Sequence, residues 1–349
     1  GTVGVSLKTA DNTMGEVVVT AMDIKRSPRS LGYSTQAVTG KEIAETQREN
    51  FLNSLQGRVA GLTITPTTGQ AGASSSIVLR GFNSLTGNNQ PLFIVDGIIL
   101  DNQTINETSN GGSGLGLASD RPNRNNDYTN RIADLNPNDI EAVTVLKGPE
   151  ATALYGSQAS AGAIVITTKK ASPGKISFQY DNNFRVQKIT RYADLNNDFA
   201  PGANGVSSNN FSSVAFSHFG ARYPDGTPKY NNIDAFFDNG FSQTHNLSAD
   251  VGFKNVGFKA TGSYFNNKGV VPTNEYNKYN VRITNSTKIG KWAEITPSYQ
   301  YIYSTNDKPL RSAGGYLLGL YTFPVTRDIT TFEDADGNKI GVYSTDPTA

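Results

Sequence analysis

The feature that most constrains this chain is a two-residue alternation that starts near residue 175 and returns in later runs. In KISFQYDNNFRV (175–186), Ile176, Phe178, Tyr180, Phe184 and Val186 share one side, and Lys175, Ser177, Gln179, Asp181, Asn183 and Arg185 the other. In 242–253, Ser242, Thr244, Asn246, Ser248 and Asp250 oppose Gln243, His245, Leu247, Ala249, Val251 and Phe253. In 279–289, Tyr279, Val281, Ile283 and Ile289 oppose Asn280, Arg282, Thr284, Ser286 and Lys288; in 292–304, Ala293, Ile295, Tyr299, Tyr301 and Tyr303 oppose Glu294, Thr296, Ser298, Gln300 and Ser304. The run at 257–267 alternates less cleanly, with Phe258, Ala260 and Tyr264 together. Side chains that alternate in this way belong to strands with one apolar and one polar face.

A soluble sandwich also alternates. Run length and connections point instead to a barrel in a membrane. The runs have roughly ten residues or more, and a tilted membrane-spanning strand needs about 9–11. Most links are short, while 187–241 is long and rich in Asn, Ser, Gly and Phe, as in outer-membrane barrels. Tyr276, Tyr279, Trp292 and Tyr303, near run ends, are expected in interface girdles. Five strands cannot close a plugged barrel, which takes about 22. The chain therefore reads as the first part of something longer.

Upstream of residue 170 the texture is α+β. Thr39 and Glu42 in VTGKEIAETQ fit a capping box. ENFLNSLQGRVAGL places Phe51, Leu52, Leu55 and Val59 on one helical face, with Gly61 as C-cap. Strands are predicted at 62–65, 76–81, 91–97, 141–148 and 163–170, with a short helix in PEATALYGS opened by Pro149. Residues 101–138 are too long and polar for an ordinary connection.

Composition removes several functions. A net charge of +1 argues against nucleic acid as a partner, and the absence of cysteine removes disulfide and thiolate chemistry. His218 and His245 have no neighbouring ligand cluster, so no metal or other cofactor is expected. In DADGN (334–338), Gly337 and Thr345 fall out of register with a calcium loop, which leaves a hairpin turn through Asp336-Gly337. Asp96-Gly97 reads as turn chemistry rather than a catalytic carboxylate, and nothing forms a nucleophile–base set. GTVGVSLKTADNTMG lacks the apolar stretch of a signal peptide.

LRGFNS (79–84), PLFIVDGIIL (91–100), NPNDIEAVTVLKGPEATALYGSQASAGAIVITTKK (136–170) and NGFSQTHNLSADVGFKNVGFKATGSYFNNKGVV (239–271) resemble TonB-dependent outer-membrane transporters of the SusC/RagA branch. GEVVVTAMDIKRSPRSLGYSTQAVTGKEI resembles that branch's TonB box and the start of its plug. The resemblance implies an α+β plug domain inside a transmembrane antiparallel β-barrel. It divides the chain into 1–14, the end of a regulatory-like β-domain; 15–30, TonB box and linker; 31–172, plug; and 173–349, the opening barrel strands and loops. It also implies energised import of an oligosaccharide or peptide, not an enzyme, in the outer membrane of a Gram-negative bacterium (Bacteroidota), with plug and TonB box facing the periplasm. The implied partners are TonB with ExbB and ExbD, a SusD-like surface lipoprotein and outer-membrane lipid. The alternatives are a signal-transducing receptor, or a subunit or cargo of another envelope assembly.

By the same resemblance Glu16, Val17, Val18, Val19 and Thr20 bind TonB by strand addition; without it, the run would pair within the small β-domain or the plug. Plug loops 83–90 and part of 101–131 are expected to floor the substrate cavity, with Asn83, Asn88, Asn89, Asp101, Asn102, Asp127 and Tyr128 as ligand contacts. Arg80 is expected to pair with Glu150 or with carboxylates of the barrel wall.

Overall fold

The computed structural model describes residues 18–19, 25–26, 35–46, 48, 50–84, 89–102, 129–171, 174, 176–192, 195, 197–207, 219–290, 292–309, 316–331, 333 and 337. Residues 1–14, His218 and the turn at 334–336 lie outside them.

Val18–Val19 (β1) and Lys25–Arg26 (β2) form an antiparallel ribbon. The plug follows. Strand β3 (Thr35–Thr39) leads into helix α1 (Gly40–Glu45), closed by the expected capping box: Glu42 Oε2 accepts from Thr39 N at 2.9 Å and Thr39 Oγ1 from Glu42 N. Phe51, Leu52, Leu55 and Val59 are all buried, but Phe51–Ser54 is a 3-10 turn followed by turns, not an α-helix. Gly57, with φ +78°, leaves the right-handed region and ends any helical path before Gly61. A hairpin, β4 (Leu62–Pro66) and β5 (Ser75–Leu79), stands apart from a five-stranded sheet.

That sheet adds β6 (Leu92–Val95), β7 (Ile98–Leu100), β8 (Ile140–Leu146) and β9 (Ala163–Thr168) in the order β3-β8-β9-β6-β7. Only the β6–β9 pair is parallel. Central β9 is buried along its whole length, which explains its unbroken apolar run. Ile164 and Ile166 face a core with Ile43, Phe51 and Val143, whereas Ala163 and Val165 face Leu146 and Ala151 of α2 (Pro149–Tyr155).

The barrel wall comprises β10 (Ile176–Gln187), β13 (Gly240–Gly252), β14 (Val256–Lys268) and β15 (Glu275–Ile289), then a last strand split into β16 (Ala293–Ile295) and β17 (Ser298–Asp307). All neighbours are antiparallel. The split falls at Pro297, which has no N–H to give the ladder. Its carbonyl still accepts from Asn285 N at 3.0 Å, and the register on either side is unchanged. The long connection between β10 and β13 carries a small hairpin, β11 (Gly202–Ala203) and β12 (Val206–Ser207), and helix α3 (Asn232–Phe236). Helix α4 (Tyr316–Thr322) follows β17 at the same end of the wall, opposite the short turns at 253–255 and 290–292. Among the described residues no helix is long and apolar enough to cross a membrane, which says nothing about crossing by strands.

The two faces of the wall follow the alternation. Ile176, Phe178, Leu247, Phe258, Val281, Ile283, Tyr299 and Tyr301 are exposed on the outside. Lys278, Asn280, Arg282, Thr284 and Ser286 are buried against the plug. The girdle expectation needs correcting. Tyr276 points inward, 2% exposed, against Phe265 and Ala71 of the plug, because even-numbered residues of β15 face the lumen. The outer aromatic row is instead His245, Tyr264, Tyr279 and Tyr303, directly paired across four strands, with Tyr180 hydroxyl meeting His245 Nδ1 at 2.7 Å. Trp292 stands exposed at a short turn.

Ile283→Arg in the complete barrel is expected to cost about 2–4 kcal/mol, the range for arginine on the lipid face near the midplane. Gln179→Arg, on the inward face beside Asp181, should be nearly neutral. Urea folding equilibria in phospholipid vesicles measure both; equal costs would reverse the inside–outside assignment.

Candidate functional site

The ionic contact between plug and wall is built by a turn. Asp96 and Gly97, with φ +48° and +86°, join β6 to β7 in a two-residue hairpin, and this backbone aims the Asp96 carboxylate at the wall. Asp96 Oδ1 accepts from Thr168 N at 2.8 Å and Oδ2 from Thr168 Oγ1 at 2.6 Å. Arg282 of β15 donates Nη2 to Asp96 Oδ2 at 3.1 Å and to Thr168 Oγ1, with its side chain 7% exposed. Asp96 is therefore more than turn chemistry. The two signals needed to find the pair, an Asp-Gly hairpin and an inward arginine, lie 186 residues apart.

The expected Arg80–Glu150 contact is not formed. Arg80, at φ +61°, donates to Lys147 O at 2.9 Å. Glu150 accepts from Lys147 N and Gly148 N at the start of α2, where those N–H groups have no helical partner. Both residues bond within the plug.

Further bonds run the length of the seam. Lys278 Nζ donates to Ala133 O at 2.7 Å, and Asn136 Nδ2 to Asn246 Oδ1 at 3.1 Å. Lys259 and Asp250 pair along the wall at 2.6 Å. Opposite them, Asp139 is buried in the plug with neither carboxylate oxygen hydrogen-bonded among the described residues. Burial pushes its carboxyl above the ordinary value, opposed by Thr261, Arg282, Lys259 and Lys169. Burial likewise raises Asp134, opposed by Lys278 and Arg131.

Of the plug-loop residues, Asn83 and Asp101 are exposed. Asn89 is occupied within its own loop: Oδ1 accepts from Asn83 N and Ser84 N, each at 2.8 Å, and Nδ2 donates to Ser84 O. Asn102 is buried; its Oδ1 accepts from Ile132 N and pins the 3-10 turn Arg131–Asp134. Glu16, Val17, Thr20, Asn88, Asp127 and Tyr128 lie outside the described residues. Val18 and Val19 pair with Lys25–Arg26, inside their own linker, and among the described residues the second edge of β1 is open.

Among the described residues two cavities, which sequence reasoning did not find, open at the long-loop end. One, of about 920 Å³, lies over the plug hairpin among the ends of β13, β14, β15 and β17. The other, of about 430 Å³, lies between the loops and is lined by Tyr192, Tyr230, Asn231 and Phe323. Phe236 stacks on Tyr316 at 5.5 Å and Asn232 Nδ2 donates to Arg327 O, which ties α3 to the α4 segment.

A mixed sheet docked by buried polar bonds on the inner face of an antiparallel wall defines a plugged-barrel receptor. Residues 27–163 match the TonB-dependent Receptor Plug Domain. TonB-dependent receptor SusC of Bacteroides thetaiotaomicron is 29% identical over 282 residues, which is 80% of this chain and 25% of that protein. TonB-dependent receptor P26 of Formosa agariphila is 28% identical over 337 residues, 94% of this chain and 30% of that protein. The RagAB peptide importer in its open-open state superposes with a TM-score of 0.68 at 20% identity, over 93% of this chain and 36% of that one. Residues 27–163 thus match the plug domain of TonB-dependent receptors, and most of the chain is similar to SusC-like members, of whose length it spans about a quarter to a third.

Asp96→Ala leaves the Arg282 charge buried and unpaired, and should lower the stability of the docked plug by about 3 kcal/mol. Arg282→Met should cost less, since Asp96 keeps Thr168. Denaturant midpoints for loss of plug protease protection in the complete receptor read the difference.

Asp139 gives a pH signature. A carboxylate raised by folding binds more protons in the folded state, so stability falls as pH rises from the ordinary value of 3.8 through the raised one. Asp139→Asn should remove that slope and stabilise the plug near neutral pH. The same midpoints taken from pH 4 to 8 check it; an unchanged slope would place the titration elsewhere.

Proposed function

We propose that this chain is the gate and opening wall of an outer-membrane importer that takes up an oligosaccharide or peptide. The carrying observation is the seam itself. Among the described residues the plug is held to the wall by discrete hydrogen bonds and one buried ion pair, with a small apolar contact at Ala71, Phe265 and Tyr276, so directed force can break the bonds one after another. TonB, driven with ExbB and ExbD by the inner-membrane gradient, adds a strand to the open edge of β1 from the periplasm and pulls. Residues Glu16 to Thr20 supply the strand that receives it. A SusD-like lipoprotein covers the long-loop end, the partner that the resemblance to the SusC/RagA branch implies. The remainder of a barrel of about 22 strands seals the wall against lipid. The reading assigns the chain to transport and contains no bond chemistry.

Deleting Val17–Thr20, or making Val18→Pro, should abolish uptake in cells while leaving surface binding of substrate intact. Proline removes a ladder donor where strand addition needs one. Wild-type uptake by the Val18→Pro variant would sink the TonB-binding assignment.

A further inference from the structure

The linker enters the plug at β3. This strand lies at the edge of the five-stranded sheet and pairs with β8 alone, from Thr35 opposite Leu146 to Thr39 opposite Ala142. An antiparallel edge strand pulled from its first residue loads each pair in turn and peels away. The Gln36 side chain changes that. Its Nε2 donates to Arg58 O, and its Oε1 accepts from Ala60 N at 3.0 Å and from Lys147 Nζ at 2.7 Å. A side-chain amide carries both a donor and an acceptor; a carboxylate lacks the donor and an alkyl group lacks both. Arg80 closes the ring of bonds, with Nη1 donating to Lys147 O at 2.9 Å and its N–H to Gly61 O at 2.7 Å. Its φ of +61° is uncommon outside glycine. Gly61 and Arg80 stand just outside Leu62 opposite Leu79, the end pair of the β4–β5 hairpin. The tip of the same hairpin is fixed to the wall: Asn274 Oδ1 accepts from Ala71 N at 2.8 Å, and Lys308 Nζ donates to Gly72 O at 2.6 Å. The hairpin therefore joins the Gln36 ring to the wall without passing through the sheet.

We propose that Gln36 is a positioning residue that delivers a pull on β3 directly to Arg58–Ala60 and the β4–β5 hairpin, so that the load bypasses the chain between positions 36 and 58. The proposal rests on the importer reading, in which the pull arrives through the linker, and names the side chain that receives it. The Gln36–Arg58 bond joins positions 22 residues apart. Between them lie the rest of β3, helix α1 and the buried side chains of Ile43, Phe51, Leu52 and Leu55. With the ring closed, that segment is shunted and its core stays packed while tension reaches the hairpin. With the ring open, β3 peels and the segment pays out first. At about 3.3–3.6 Å per extended residue, that is about 75 Å of slack before Arg58 feels the pull. Lys147 makes the ring sensitive to Gln36. Burial and the neighbouring Arg80 hold its pKa below the ordinary lysine value, so its ammonium depends on the acceptor that Gln36 supplies.

A DNA handle attached through Lys25→Cys of the linker pulls on the complete receptor, held in a lipid nanodisc in an optical trap. With Gln36 in place, no separate step of 22 residues should precede release of the hairpin. Gln36→Met should add one, an early low-force extension of about 75 Å. Gln36→Glu keeps the acceptor for Ala60 N and Lys147 Nζ, and should retain the pattern seen with Gln36. Denaturant midpoints separate this role from plain stabilisation: a residue that only stabilised the plug would lower the midpoint and every rupture force without adding a step. An unchanged step pattern in Gln36→Met, or the early step already present with Gln36, overturns the assignment and leaves the importer reading standing. That reading falls instead if Val18→Pro imports at the unaltered rate, whatever the trap shows.

Discussion

The structure depends on the neutralisation of polar side chains on the inner face of the wall. A strand that turns Ile283 to lipid must turn Arg282 and Thr284 inward, because neighbours in a strand face opposite ways. Inside a closed wall those groups meet protein rather than bulk water, and an unpartnered buried polar group costs about 1–3 kcal/mol, more if charged. The plug supplies the partners: a carboxylate for Arg282, a main-chain carbonyl for Lys278, an amide for Asn246. Plug and wall are thus two halves of one hydrogen-bonding system.

Such an interface can be firm and still yield. An apolar interface loses its stabilisation roughly in proportion to area, whereas a polar one is divided into separate contacts, each replaceable by water. The Asp139 carboxylate has the Thr261 hydroxyl and several cations nearby, yet among the described residues neither oxygen has a hydrogen bond of good geometry, so the seam is not perfected along its length. The ties at Ala71 and Gly72 secure the hairpin tip to the wall, while the ribbon at Val18–Val19 pairs within the linker, so the two involve different parts of the chain.

Much of the architecture was legible in the residues. The wall strands, their inward and outward faces, the capping box and the split between plug and barrel follow from local periodicity and composition. What escaped depended on distance. Tyr276 near a strand end looks like a girdle aromatic, and only the plug's position behind β15 shows why it is buried. Arg80 and Glu150 look like partners from their charges, yet each finds main-chain groups closer by. Asn89 and Asn102 have the chemistry of ligand contacts, but local geometry spends it on holding loops. The helix expected through Val59 has the right apolar spacing and is cut by one glycine whose φ is positive, which spacing does not report.

The contacts across the seam join residues far apart in the chain: Lys278 to Ala133 spans 145 positions, Arg282 to Asp96 spans 186, and Lys308 to Gly72 spans 236. Contacts of that separation form late and slowly compared with local ones. Until they form, β15 carries an arginine and a lysine whose contacts in the plug are still to be made. The wall alone therefore leaves its inner face without the plug's groups, and a barrel that closed first would enclose charges the plug has not yet met. Assembly is simplest if the plug folds ahead of the wall and each strand is laid against it, the gate serving as the mould for the channel it will block.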